Sequence, residues 1–312
     1  MSKDLTNDVG YANDEIGLNE LFSEIWRVKF WLGGISFLVA VIVAAYSLTL
    51  PNIYRSEALV VPVEDGAGGK LGSLAGQFGG LASLAGISLG KGDSNKSVIA
   101  LEKLKSREFF FKFAEKHQIL VPLMAVKEWD PQSDKLVLDA DIYNADTDTW
   151  VRDVSWPKQP KPSLQEAHKA FLDSLTVSQD KTTGMVKIML EHVSPTISRD
   201  WTTALITDLN EEMRQRDISE AQSSIAYLEQ QVADTKITEI KTVLYQLIEE
   251  QTKTLMLANV KPEYILETVD AAIVPEKKYK PGRAVMVIGA AVVVFIGGVG
   301  FLMIRLVMKK EK

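Results

Sequence analysis

The chain has no cysteine and only three histidines among its 312 residues. No disulfide can staple it, which permits an oxidising compartment without proving one. Any zinc site is limited to histidine and carboxylate ligands, and His117, His168 and His192 lack metal-ligand spacing. A basic stripe is missing too: 35 lysines and arginines stand against 41 acidic residues, a formal net charge of −6. Nucleic acid is excluded as a partner, because its electrostatic footprint is absent.

Catalytic patterns are equally scarce. No serine lies in a Gly-x-Ser-x-Gly elbow. Residues 66–70 imitate a phosphate loop, but Glu64 occupies the position of its first glycine. Leu71 follows Lys70 where a hydroxyl should hold Mg²⁺. Asp139, Asp141, Asp146 and Asp148 imitate a calcium loop, yet Tyr143 and Asn144 stand where a ligand and the sharp-turn glycine belong. Glu211-Glu212 and Glu249-Glu250 are adjacent on helices and do not face each other, which disfavours a paired acid–base role. No catalytic residue, cofactor or metal is assigned. The chain reads as a non-enzyme.

What the sequence does have is two uncharged apolar runs, residues 31–50 and 284–304, each near the ~20 residues that cross a hydrocarbon core. We expect an α+β protein: two transmembrane helices flanking one large base domain outside the cytoplasm, with a long helical hairpin. Residues 1–30 form a cytoplasmic N-terminal tail with an interfacial helix, and 31–50 the first span. Residues 51–194 give the first part of the base, including an apolar Gly/Leu-rich loop at 66–92. The hairpin takes 195–261, and 262–283 supply a return strand and a proline-containing linker. The second span is 284–304, and 305–312 a cytoplasmic C-terminal tail. A cleaved signal peptide is the alternative for the first run, with Ala40, Ala44 and Ala45 mimicking a cleavage site. The run is longer than usual for that and follows a long acidic segment, so it is read as an uncleaved anchor. Arg27 and Lys29 before the first span, with Arg305, Lys309, Lys310 and Lys312 after the second, favour cytoplasmic termini. Lys277, Lys278, Lys280 and Arg283 weaken that bias.

Leu18, Leu21, Phe22, Ile25 and Trp26 fall at helical spacing, which fits either an interfacial helix or the first turns of the span. Residues 53–63 are rich in β-formers and predict a strand. The loop at 66–92 contains a short repeat, Leu71-Gly-Ser-Leu-Ala-Gly76 and Leu81-Ala-Ser-Leu-Ala-Gly86. It either touches lipid or a neighbouring subunit, or covers its own domain. Residues 97–118 predict a helix, and 129–162, with four prolines, an irregular stretch. Ser163-Leu-Gln-Glu166 is a capping box opening a helix to about Leu175. Strands follow at 176–179 and 185–193 around the turn 180–184.

Ser194-Pro195 starts a helix, and neither glycine nor proline interrupts 196–261. Both ends of this run lead back toward the spans, so the chain must go out and return, turning near 232–238. Trp201, Leu205, Leu209, Met213, Ile225 and Leu228 would then face Ile240, Val243, Leu244, Leu247, Ile248 and Leu255. Residues 264–274 predict the strand that leads to the second span.

Association is the remaining chemistry. Ser36, Ala40 and Ala44 recur every four residues in the first span. Gly289, Ala290, Gly297 and Gly300 share about a third of the second helix's circumference. Small faces let helices approach closely in lipid, although glycine is also generally common in such helices. Pro51, Tyr54, Arg55, Pro275, Pro281 and Arg283, flanking the spans, complete the candidate partner and oligomer contacts.

The order of several motifs resembles one family. Asp14-Glu-Ile-Gly-Leu-Asn-Glu-Leu21 with Trp26 and Lys29 looks like its pre-membrane segment, and Pro51-Asn-Ile-Tyr-Arg-Ser-Glu-Ala58 like its post-membrane strand. Pro162-Ser-Leu-Gln-Glu-Ala167, residues 184–195 and Asn210-Glu-Glu-Met-Arg214 are similar to its middle section. Leu247-Ile-Glu-Glu-Gln-Thr-Lys253 and Val269-Asp-Ala-Ala-Ile-Val-Pro275 continue the pattern. The chain resembles the Wzz-type chain-length determinants, polysaccharide co-polymerases of the Gram-negative inner membrane. Lys278-Tyr279 and Pro281-Gly-Arg283 depart from the family's Pro-Lys-Arg approach to the second span. The resemblance implies a periplasmic α/β base domain with a long protruding helical hairpin, assembled into a closed homo-oligomeric ring of about eight subunits. It also implies two other partners, the O-antigen polymerase and lipid-linked polysaccharide, and control of the modal length of O-antigen or a related glycan. The competing readings are an export adaptor for capsular or exopolysaccharide working with a separate cytoplasmic kinase, and a glycan-trimming enzyme.

Overall fold

The computed structural model of the chain describes residues 18–63 and 92–310. Residues 14–17 of the pre-membrane motif and 66–91 of the Gly/Leu-rich loop, with its repeat, lie outside the described residues. In chain order the elements are α1 (Leu18–Thr49), β1 (Tyr54–Pro62), α2 (Gly92–Leu104), α3 (Arg107–Lys116) and α4 (Leu120–Met124). Four short strands follow, β2 (Val126–Asp130), β3 (Lys135–Leu138), β4 (Tyr143–Asn144) and β5 (Thr149–Trp150). Then come α5 (Leu164–Ser174), β6 (Leu175–Gln179), β7 (Val186–His192), α6 (Pro195–Asp234), α7 (Thr238–Val260), β8 (Leu266–Asp270) and α8 (Arg283–Lys310).

The chain divides into two compact units, one from Met1–Pro51 with Lys280–Lys312 and the other Asn52–Tyr279. In the first, α1 packs against α8. Lys29–Thr49 and Arg283–Arg305 are long and apolar enough to cross a membrane, with mean hydropathies of 2.0 and 2.7. Helix α1 is continuous from Leu18, so residues 18–30 are the first turns of the helix that carries the span.

The second unit is built on an antiparallel sheet of order β6-β7-β1-β8. Tyr54 pairs with His192 at one end of β1, and Val60 with Val186 near the other. The register between β1 and β8 slips at Leu59 and Val60, which pair with Asp270 and Thr268 and leave Val269 as an extra residue on β8. The β6–β7 turn is held by Asp180, whose carboxylate accepts from the amides of Thr182 (2.7 Å) and Thr183 (3.1 Å). Gly184 closes that turn at φ +73°, a conformation that suits glycine.

The core lies between the sheet and the helices. Phe109, Phe110 and Phe113 of α3 meet Phe171 of α5, Ile188 and Leu190 of β7, and Leu205, Leu209 and Met213 of α6. Helix α5 begins with a complete capping box: Ser163 Oγ accepts from the Glu166 amide (3.2 Å), and the Glu166 carboxylate accepts from the Ser163 amide (3.1 Å). Helix α6 begins on Ser194, whose hydroxyl accepts from the Ile197 amide (3.3 Å), with Pro195 just inside.

The run without glycine or proline is a helical hairpin, broken at residues 235–237 and returning as α7 along α6. Its expected internal face needs correction. Trp201, Leu205, Leu209 and Met213 are buried in the base core instead, because α6 is 40 residues long and α7 only 23. The return arm is too short to run alongside Trp201, Leu205 and Leu209, while Ala258 near its end joins Met213 in the core. Along the hairpin Ala221 and Val232 are buried and Ile225, Leu228, Leu244, Ile248 and Leu255 half-buried, while Ile240, Val243 and Leu247 stay exposed. Two smaller expectations also change. The helix over 97–118 divides at 105–106, where Ser106 caps α3 by accepting from the Phe109 amide (3.2 Å). The stretch 129–162 contains two short hairpins, β2–β3 and β4–β5, whose turns place Asp134 and Asp148 at positive φ.

Candidate functional site

Helix α1 turns one face toward α8, and the least exposed positions on it run Leu32, Ser36, Val39, Ala40, Val43, Ala44 and Ser47. Ser36, Ala40 and Ala44 thus fall on the packed face. Small side chains bring the two backbones close there. Ser36 is buried and its hydroxyl has no hydrogen-bond partner among the described residues, whereas Ser47 Oγ donates to the Ala44 carbonyl at 2.8 Å. On α8 the small residues separate. A side chain at Gly298 would strike the tip of the Leu32 side chain, which would have to move aside to admit it. Gly289 and Gly297 are exposed, and among the described residues an added Cβ at Gly289, Gly297 or Gly300 would meet nothing within 4 Å. Gly298 was not singled out from the sequence, because periodicity locates a small-residue face without saying which glycine a neighbour overlies.

Arg283 ties the ends of the two helices together. Its Nε donates to the Ser47 carbonyl (3.0 Å), and a terminal guanidinium nitrogen donates to the Leu50 carbonyl (3.3 Å). The last turn of any helix leaves carbonyls without intrahelical partners, and its negative dipole end favours a cation. Arg283 meets both needs of α1 from the start of α8. Pro51 and Pro281 flank the same two ends.

In the other unit, Arg55 and Tyr54 point to opposite faces of β1, as strand alternation requires. Arg55 ion-pairs with Glu191 on β7 and lies over the Tyr279 ring, 3.4 Å from its centroid. Tyr54 meets Trp129 edge-on at 5.6 Å. The segment holding Pro275 is tied to the sheet on both sides: Ser56 Oγ donates to the Ile273 carbonyl (2.8 Å), and the Tyr279 amide donates to the Ile53 carbonyl (2.7 Å). Arg55 and Tyr279 therefore meet, while Tyr54 belongs to a separate contact. Tyr279 was missed from the sequence; a single aromatic residue in a linker carries no periodic signal.

The three histidines serve structure. His168 donates to the Lys105 carbonyl (2.9 Å), and His117 meets the Asp208 carboxylate (2.7 Å). His192 donates from Nε2 to the Pro122 carbonyl (2.9 Å) and accepts at Nδ1 from the Ser194 amide (3.0 Å). Burial pushes its pKa below the ordinary 6.5, despite opposing hydrogen bonds to Pro122 and Ser194. Among the described residues, no group of three or more histidine, aspartate or glutamate side chains is arranged to hold a metal. A depression of about 180 Å³ between α3 and α6 is lined by Phe109, Phe113 and charged neighbours. Those charges are already paired: Lys112 with Glu108 and Glu212, Lys116 with Asp208, and Glu211 with Arg214. Hydrogen bonds to Glu108 and Glu212 push Lys112 up to about 12.

Residues 14–117, from the approach to α1 through the end of α3, match the family model described as chain length determinant protein, Wzz. The match covers about a third of the chain. The matched stretch contains Ser36, Ala40, Ala44, Pro51, Tyr54 and Arg55; Pro275, Pro281, Arg283 and the α8 glycines lie beyond it. The match bears out the Wzz-type resemblance, with chain-length determination as its associated role. Two solved structures are also similar to the chain. A full-length bacterial polysaccharide co-polymerase aligns at 13% identity over 94% of this chain and 99% of its own, with a TM-score of 0.36. A fragment of WzzB, a polysaccharide co-polymerase from Salmonella Typhimurium, aligns at 10% identity over 73% of this chain and 100% of its own, with a TM-score of 0.33. No curated protein sequence matches the chain.

Proposed function

We propose that the chain regulates the modal length of lipopolysaccharide O-antigen, or of a related surface polysaccharide, as an oligomeric periplasmic scaffold acting with the membrane polymerase. The observation that carries this reading is the chain length determinant match over residues 14–117. The two membrane-length helices fit an inner-membrane protein. In this proposal Asn52–Tyr279 is periplasmic and both termini are cytoplasmic, supported by Arg27 and Lys29 before one span and Arg305 after the other.

Self-association is supported by the hairpin. Ile240, Val243 and Leu247 share one face of α7 at i, i+3, i+7 spacing and are exposed in the single chain. Identical faces are covered economically in a closed ring. The chain forms no glycosidic bond itself. The ring holds the polymerase and growing polymer, and contact between polymer and protein shifts the balance between extension and release. The open glycines Gly289, Gly297 and Gly300, together with Pro51, Tyr54, Arg55, Pro275 and Pro281, are proposed to meet neighbouring copies or the polymerase.

The test is the glycan ladder of a strain lacking the gene, complemented with the wild-type chain. Restored clustering around one modal length is expected, and an unclustered ladder would refute the proposal. Incubating the purified chain with finished polysaccharide separates regulation from trimming: the chains should keep their length.

A further inference from the structure

We propose that Trp156 is a saccharide-stacking platform, through which the base unit contacts the polymer whose length it governs. The inference rests on the length-regulating reading above and assigns it a contact site. Among the described residues Trp156 is the most exposed large apolar side chain, at 92%. The other two strongly exposed tryptophans, Trp26 and Trp31, belong to the apolar helix α1 and suit a membrane boundary. Trp156 sits in Asn52–Tyr279, where an indole left in water needs another explanation.

The loop that carries it is held at its base. Arg152 donates from Nε to the Pro160 carbonyl (2.8 Å), and from a terminal nitrogen to the Gln159 carbonyl (2.9 Å) and the Glu166 carboxylate (3.0 Å). Glu166 is also the capping-box residue of α5, so the clamp is anchored to a helix end. Burial alone would raise the Glu166 carboxyl, but the Arg152 guanidinium and the Ser163 amide outweigh it and hold it below the usual range. A tight turn brings the Lys158 amide to the Ser155 carbonyl (3.1 Å), with Trp156 and Pro157 at its tip. The backbone beneath the ring is thus ordered in advance, and an indole with two rotatable bonds loses little further entropy on binding.

The surroundings decide the occupant. A stable protein interface has a desolvated core of several apolar side chains, and an interfacial membrane anchor usually has an amphipathic helix bearing several. Here one indole stands among exposed Ser155, Lys158 and Gln159. That combination suits a sugar. The weakly positive C–H face of a pyranose stacks on the negative face of the indole, and neighbouring polar groups reach its hydroxyls. A single platform is weak alone. A repeating polymer meeting the same ring on several copies gains avidity without further contacts.

The experiment uses the full chain in nanodiscs of zwitterionic lipid, with its tryptophans replaced by 5-fluorotryptophan. The Trp156→Phe variant assigns the ¹⁹F resonance of Trp156. The probe is delipidated surface polysaccharide released by mild acid from the source cells. The Trp156 resonance should shift on adding polysaccharide, and Trp156→Ala should weaken binding by about tenfold or more, with Trp156→Phe between. An unmoved resonance, or wild-type affinity in Trp156→Ala, overturns the assignment. So does a shift seen only with anionic phospholipid vesicles, which would make the ring a membrane contact. The complementation ladder keeps the two failures apart. A wild-type chain that sets no modal length refutes length regulation, while the resonance and affinity still decide the Trp156 site.

Discussion

The Arg283 guanidinium, at the first turn of α8, donates to the Ser47 carbonyl at 3.0 Å in the last turn of α1. A residue first noticed as a candidate partner contact is thereby engaged inside the chain, as a cap supplied by one apolar helix to the other. Replacing it with methionine keeps much of the side-chain length and removes the donors. A hydrogen bond to a charged group contributes roughly 1.5–3 kcal/mol. Thermal unfolding of Arg283→Met in detergent should therefore begin several degrees lower, with Arg283→Lys recovering part of the loss. Equal midpoints for all three proteins would show that the cap contributes nothing.

Helix packing in the membrane-length pair depends on which glycine is changed. A larger residue at Gly298 collides with Leu32, whereas Gly289 and Gly297 face open space. Gly298→Val should lower folded yield and thermal stability, by about 1–3 kcal/mol as overpacking does. Gly289→Ala and Gly297→Ala should fold like wild type, yet disturb the glycan ladder if neighbouring copies or the polymerase meet that face. An unchanged ladder for both would argue against a contact there.

Asn210 is the buried polar link between α6 and the return strand. Its Oδ1 accepts from the amides of Ile265 (2.8 Å) and Leu266 (2.9 Å), and its Nδ2 donates to the Leu266 carbonyl (2.9 Å). Truncation leaves three backbone groups without these partners, each costing about 1–3 kcal/mol when buried. Asn210→Ala should be among the most destabilising single changes in Asn52–Tyr279, measured as a reduced urea midpoint. A midpoint within error of wild type would mean that water replaces the side chain fully.

His192 makes stability depend on pH in a defined direction. Its folded pKa lies below 6.5 because it is buried, while in the unfolded chain it titrates near its ordinary value. The unfolded state therefore binds the proton first as pH falls. The contribution is complete above about pH 6.5 and declines below it, until the folded pKa is passed. Urea unfolding of the full chain in detergent should show a loss between pH 7.5 and 5.5 that is smaller in His192→Gln. An identical loss in the variant would place the pH dependence elsewhere.

Local rules made much of this architecture legible. The Ser163–Glu166 capping box, the Ser194-Pro195 start, the 180–184 turn and the two apolar runs each depend on neighbours in sequence, and each is found in the structure. What stayed hidden depends on distant partners. Trp201, Leu205 and Leu209 have the spacing of a hairpin seam but are buried in the base core, because arm length decides the partner. The split at Ser106 was masked by apolar periodicity continuing across it. Within the candidate contacts, strand alternation separates Tyr54 from Arg55, but nothing local announces that Arg55 lies over Tyr279.

The exposed stripe Ile240, Val243 and Leu247 leads to the most direct measurement, the mass of the complex after gentle extraction into native lipid discs. One chain has a mass of 34.6 kDa. A scaffold made of copies predicts a discrete multiple of that mass, falling toward a single chain when Val243 and Leu247 are changed to glutamate. A stable wild-type particle containing one chain would contradict it.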